Sequence, residues 1–97
     1  MERVAFQVVY SEEAVAQLRK LRAFERTLIL DQIEQVLMVN PQVVSKARLK
    51  LLRQPAPTQY RLRVSDFRVF YDVEGTTVRI IQVLGKEDSI GYLRGMP

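Results

Sequence analysis

The chain has 97 residues, 47% of them hydrophobic, with a net charge of +4, no cysteine and no histidine. That length fits one domain spanning 1–97, and the apolar content is too high for a disordered chain. Disulfides, thiolate or imidazole metal sites, Ser–His triads and histidine acid–base pairs are excluded, and the lack of cysteine fits the cytoplasm.

The opening MERVAFQVVYSEE does not read as a signal peptide, because its apolar stretch is short, alternates and runs into acids. No apolar run approaches the roughly 20 residues of a spanning helix, so no membrane partner is expected. Val4–Tyr10 predicts a strand: Val4, Phe6, Val8 and Tyr10 alternate in a β-branched and aromatic segment. Ser11 offers an N-cap, and Glu12 and Glu13 follow where the helix dipole favours acids. Ala14, Leu18 and Leu21 continue at helical spacing. A second helix is predicted from about Glu25 to Val39, with Ile29, Ile33, Val36 and Leu37 on one face, and Asn40-Pro41 stops it. Arg19, Lys20, Arg22 and Arg26, mixed with Glu25 near the turn of this helix hairpin, read as solvated surface.

Pro55 and Pro57 argue against regular structure within 41–59, where Leu49, Leu51 and Leu52 are expected to cover an edge of the core. Three strand signals follow: Tyr60–Val64, Phe67–Val73 and about Thr77–Leu84. Ser65-Asp66 and Glu74-Gly75 sit between them, which makes an antiparallel meander. Ser65-Asp66 lacks glycine, which leaves its turn type open. Gly85 to Pro97 reads as a loop or short terminal turn. The fold class is therefore α+β: an N-terminal strand and a two-helix hairpin packed on one face of an antiparallel meander sheet, the other face at least partly open.

The charge is not evenly spread. Residues 1–45 and 69–97 each carry −1, whereas 46–68 carry +6, from Lys46, Arg48, Lys50, Arg53, Arg61, Arg63 and Arg68 against Asp66 alone. Such an island suits a polyanion, or simply a solvated face. A two-residue turn at Ser65-Asp66 pairs Val64 with Phe67, Arg63 with Arg68, Leu62 with Val69, Arg61 with Phe70 and Tyr60 with Tyr71. Tyr60, Leu62, Val64, Phe67, Val69 and Tyr71 then share one face, and Arg61, Arg63, Arg68 and Phe70 the other. Like charges directly opposed destabilise a sheet by roughly 0.2–1 kcal/mol. A bound phosphate would turn that repulsion into attraction through bidentate guanidinium contacts, and Phe70 could stack a base. On the third strand Val78 and Ile80 are expected on the core face, and Ile81 and Val83 on the arginine face. Lys86 and Tyr92 are expected to return to the rim.

YRLRVSDFRVFYDV at Tyr60–Val73 and VLGKEDSIGYL at Val83–Leu93 resemble the RelE/ParE superfamily of bacterial toxins from toxin–antitoxin pairs, over nearly the whole chain. The ending looks RelE-type, since ParE-type relatives more often end in a histidine-containing segment. The resemblance implies a RelE-like fold and, for the RelE branch, a ribosome-dependent endoribonuclease. Without metal or other cofactor, the ribose 2′-hydroxyl would attack the adjacent phosphate of mRNA in the ribosomal A site. It implies an acidic, RelB-like antitoxin as partner in a hetero-oligomer. By position Arg61, Arg63, Arg68, Lys86 and Tyr92 fall on catalytic places, and Lys46, Arg48, Lys50, Arg53 and Phe70 are expected to bind RNA. Two departures matter. Arg63 stands where the family often has a lysine that is a candidate base, and a guanidinium with a pKa above about 12 is a poor base. Lys86 stands where RelE-type toxins often place an arginine acid, and neighbouring cations would ease its deprotonation. A ParE-like gyrase inhibitor and a weakened relative that only binds antitoxin are the competing readings.

Overall fold

The computed structural model describes residues 5–95. The elements run β1 (Gln7–Tyr10), α1 (Glu12–Lys20), α2 (Ala23–Gln32) with a π-helical turn at Ile33–Leu37, β2 (Leu49–Leu51), β3 (Tyr60–Val64), β4 (Phe67–Glu74), β5 (Thr77–Gly85) and α3 (Lys86–Arg94). They form an α+β fold on a five-stranded sheet of order β1-β5-β4-β3-β2. The β3–β4–β5 meander and its partner β2 are antiparallel, and β1 joins β5 in parallel. Val4, the expected start of the first strand, lies outside the described residues, as does the end of the tail at Pro97.

Local chemistry fixes the joints. Ser11 Oγ accepts from Ala14 N at 3.0 Å and donates to the Ile81 carbonyl at 2.8 Å, so one hydroxyl caps α1 and ties it to β5. Arg26 donates to the carbonyls of Leu18, Arg19 and Leu21 at 2.9–3.3 Å. It therefore satisfies the C-terminal carbonyls of α1 and locks the α1–α2 corner. Arg19, Lys20 and Arg22 around it are exposed. Ala14 and Leu18 of α1, and Ile29, Ile33 and Leu37 of α2 and its π turn, pack on Leu49, Leu62, Val64, Val69, Tyr71, Val73, Val78 and Ile80. Each fully buried large side chain there contributes roughly 1.5–3 kcal/mol.

Several expectations are corrected. The second helix begins at Ala23 and loosens into the π turn at Ile33–Leu37 before Asn40-Pro41. Segment 41–59 contains a strand after all, since Leu49–Leu51 pairs with β3 ahead of the prolines. Leu49 seals the core, but Leu51 is 60% exposed on the sheet edge. The second turn is Gly75-Thr76 rather than Glu74-Gly75, with Gly75 at φ 58. The tail forms the helix α3, which lies on β4 and β5. Val83 is on the core face, opposite Val69. The reason is a β-bulge: Phe70 pairs with Gln82 but Tyr71 with Ile80, so Ile81 is the extra residue and the alternation flips beyond it.

Candidate anion-binding site

The β3–β4 hairpin has the register that alternation dictates, from Tyr60↔Tyr71 through Arg63↔Arg68 to Val64↔Phe67. Ser65 at the turn takes φ 52, so its positive dihedral is borne by a serine instead of a glycine. Lys50 of β2 lies directly opposite Arg61. Arg63 N donates to the Arg48 carbonyl at 2.7 Å, which extends the β2–β3 ladder by one further rung. Lys50, Arg48, Arg61, Arg63 and Arg68 thus share the sheet face opposite the α1–α2 core.

No described carboxylate forms an ion pair with them. Among the described residues the one ion pair is Arg79–Glu74 at 3.5 Å, remote from this cluster. Arg61 Nε is buried with no hydrogen-bond partner. Burial, then Arg68 and Arg63, hold the Arg61 guanidinium below its ordinary pKa. Arg68 is also lowered, by burial first and then Arg63, with Asp66 opposing. A site that disfavours its own cations in this way is relieved by an incoming anion.

The predicted residues are not equivalent. Arg68 is only 8% exposed, and its Nη1 donates to the Ser65 and Phe67 carbonyls at 3.2 and 3.0 Å, so it braces the turn. Arg63, Arg48 and Lys50 are exposed. Lys46 precedes β2 and Arg53 follows it, both exposed, and Arg53 stands at the end of β2 away from Arg48. Lys86 N donates to the Asp66 carbonyl at 2.7 Å, which fastens the start of α3 to the turn. Its hollow of about 460 Å³ is lined by Asp66, Phe67, Gly85, Glu87 and Asp88, so acids rather than arginines surround it. Phe70 is corrected as a base-stacking platform: it has 0% exposure. The Tyr92 ring packs edge-on against it with centroids 5.0 Å apart. Burial, then Asp72 and Glu13, raise the Tyr92 phenol pKa.

Two features escaped the sequence reading. The Arg48–Arg63 rung depends on β2, whose one signal was the alternation of Lys46, Arg48 and Lys50. The polar fringe of Glu13, Gln17 and Gln82, linked through side-chain hydrogen bonds, joins residues 65 or more apart in the chain and has no local signature.

Over residues 8–90 the sequence matches the family model of the ParE toxin of the type II toxin–antitoxin system parDE. No curated protein matches it. Among solved structures, the toxin–antitoxin complex RelBE2 from Mycobacterium tuberculosis aligns with a TM-score of 0.73 at 22% identity, covering 87% of this chain and 94% of that one. An E. coli toxin RelE mutant in the free state aligns at 0.67 and 21% identity, over 94% of this chain and 96% of that one. An archaeal RelE–RelB complex from Pyrococcus horikoshii aligns at 0.61 and 19%, over 84% and 96%. These likenesses establish the RelE-like fold. The family model spans α1, the basic hairpin and the start of α3, and by that match the chain belongs to the ParE toxin family of type II toxin–antitoxin systems, within the RelE/ParE superfamily.

Proposed function

We propose that this toxin is a ribosome-dependent endoribonuclease that cleaves mRNA and so stops translation. The carrying observation is the convergence of Arg61, Arg63 and Arg68 on one face with no ion-paired carboxylate among the described residues. In this reading the ribose 2′-hydroxyl gives its proton to solvent water as its oxygen bonds to the adjacent phosphorus, and the P–O5′ bond breaks. The products are a 2′,3′-cyclic phosphate and a 5′-hydroxyl. Arg61 and Arg63 stabilise the extra negative charge of the phosphorane, and Arg68 adds to the field while holding the turn. The family resemblance assigns Lys86 to protonate the leaving 5′-oxygen and Tyr92 to orient the nucleotide from α3; Lys86 stands among Asp66, Glu87 and Asp88 in place of the cations expected around it, so its role rests on that resemblance and not on cationic neighbours. A guanidinium is a poor base, so Arg63 is assigned charge stabilisation alone. An acidic, RelB-like antitoxin would cover the basic face in a hetero-oligomer, a partner supported by relatives solved as toxin–antitoxin complexes. Action in the cytoplasm follows from a ribosomal target.

The ParE family match favours a second reading, inhibition of DNA gyrase without RNA cleavage. Inducing the chain without a partner separates the two. The ribonuclease reading expects a prompt halt in amino-acid incorporation and new RNA ends bearing 5′-hydroxyls. A halt in replication with a DNA-damage response overturns it in favour of gyrase, and unimpaired growth overturns both. Lys86→Ala should slow cleavage by about 10²–10⁴-fold, the usual worth of a general acid. Full cleavage by that variant removes Lys86 from the mechanism.

A further inference from the structure

The β-bulge at Ile81 is a feature that the cleavage chemistry leaves unexplained. Val78 and Ile80 point into the core, and unbroken alternation would send Gln82 there too. The extra residue turns Gln82 onto the open face, directly across from Phe70. Bulges of this kind recur beside active sites, where they re-aim a side chain. Around the bulge the backbone is satisfied by α1, because β1 pairs with β5 only as far as Ile80. Ser11 Oγ donates to the Ile81 carbonyl, and Val83 N donates to Gln17 Oε1. The hydrogen bonds continue from there. Gln17 Nε2 donates to Gln82 Oε1, and Gln82 Nε2 donates to the Glu13 carboxylate. A backbone N–H at one end and a carboxylate at the other fix the direction of both amides, so neither can flip without losing bonds.

Satisfying the bulge does not require all of this. Ser11 and Gln17 suffice for the Ile81 and Val83 groups, whereas Gln82 and Glu13 carry the chain beyond them onto the open face. There Phe70 lies wholly buried against the Tyr92 ring, with centroids 5.0 Å apart. Opposed residues of an antiparallel pair have Cβ atoms about 4.5–5.5 Å apart, so Gln82 flanks the side chain on which Tyr92 rests. Glu13 is near enough to the phenol to raise its pKa, after burial and Asp72. We infer that Gln82, held by Gln17 and Glu13, is a positioning residue that sets Tyr92 of α3 over the open face. Gln82 acts through Tyr92 and not on the reacting atoms. The inference rests on the ribonuclease reading, in which Tyr92 orients the nucleotide, and adds to it that α1 holds this tyrosine in place.

The test is single-turnover cleavage of ribosome-bound mRNA by the purified full chain, with the toxin concentration varied. Gln82→Leu removes both amide bonds of the side chain. It should lower the rate at saturation by about 10- to 100-fold, the cost of a misplacement of about 1 Å, and leave the half-saturating concentration within about twofold of wild type. In the Tyr92→Ala background the same substitution should have no further effect, because both changes act on one group. Gln82→Glu sets two carboxylates against each other and should lose as much. Adding Glu13→Gln to it reverses the last hydrogen bond and should restore most of the rate. Nuclear Overhauser contacts between the Phe70 and Tyr92 rings should weaken in Gln82→Leu and Gln82→Glu and return in the double variant. Ring contacts retained in Gln82→Leu, or a loss that adds to that of Tyr92→Ala, overturns the inference. So does a lower melting temperature with an unchanged saturated rate, which would make the network merely stabilising. The ring contacts need no cleavage, so the two readings fail separately. A wild type that leaves ribosome-bound mRNA intact sinks the nuclease, while the ring contacts still judge Gln82.

Discussion

Tyr71 shows how much one side chain of this fold carries. Its ring is buried, stacks on Tyr60 with centroids 5.4 Å apart, and its hydroxyl donates to the Pro41 carbonyl at 2.6 Å. Burial, then the nearby Tyr60, push the phenol pKa far above the ordinary tyrosine range. The fold therefore favours the neutral phenol. That contribution is complete below the unfolded-state pKa of about 10 and is lost as pH climbs above it. Tyr71→Phe should cost about 1–3 kcal/mol at pH 7, because the Pro41 carbonyl loses its buried donor. Urea midpoints measured from pH 8 to 11 should fall more steeply for wild type than for Tyr71→Phe above pH 10. Parallel curves would show that Tyr71 is not the group responsible. Alternation in the sequence puts Tyr71 on the core face correctly. Its partner at Pro41 was not legible, because a contact across 30 residues leaves no periodic trace. The same limit hid Arg68: the strand pattern gave its face, yet its hydrogen bonds to Ser65 and Phe67 depend on a turn geometry that Ser65-Asp66 does not announce.

Among the elements, the long and strongly patterned ones were legible and the short ones were not. The β3–β4 hairpin was readable to the residue, because its alternation leaves a single register in which no apolar pair is broken. β2 has three residues and pairs only at an edge, too little for a pattern to rise above the prolines beside it. The Ile81 bulge is a tertiary choice that reverses the facing of Val83, which no local rule foretells. α3 was hidden by Gly85, Gly91 and Gly95 and by a weak apolar face: Ser89 is its one buried residue, while Ile90 and Leu93 are exposed. It is held to the sheet mainly through Tyr92 on Phe70 and the Lys86 N–Asp66 carbonyl bond. Tyr92→Ala removes an aromatic pair worth about 0.5–1.5 kcal/mol beyond its buried area. Amide exchange over 86–94 should then accelerate by about tenfold or more, with the β3–β4 amides unchanged. Equal acceleration in both segments would mean that Tyr92 supports the whole sheet and not α3 alone.

For the molecule as a whole, the sequence showed where the charge lies and the topology showed why it matters. The basic segment 46–68 is folded so that β2 and β3 place their cations on the face away from the α1–α2 core, at the far side of the sheet from β1. The place of β1 beside β5 was not legible, since a parallel pairing across about 70 residues carries no local signal. On the proposed reading, the resulting like-charge rungs couple the stability of the fold to a bound anion. A ligand that binds only the folded state stabilises it by RT ln(1 + [L]/Kd), about 1 kcal/mol at a few times Kd. For a domain of this size that raises the melting temperature by about 4–8 °C. Inorganic phosphate at constant ionic strength should therefore raise the melting temperature of the wild type relative to chloride. The triple substitution Arg48→Gln, Arg61→Gln, Arg63→Gln should behave in the opposite way on both counts. It should melt higher than wild type in chloride, because the opposed charges are gone, and it should gain only the general effect of an excluded salt in phosphate. A triple variant less stable in chloride, or as responsive to phosphate as wild type, would show that the arginines serve packing rather than anion binding. That result would remove the physical basis of the proposed nuclease while leaving the fold and family untouched.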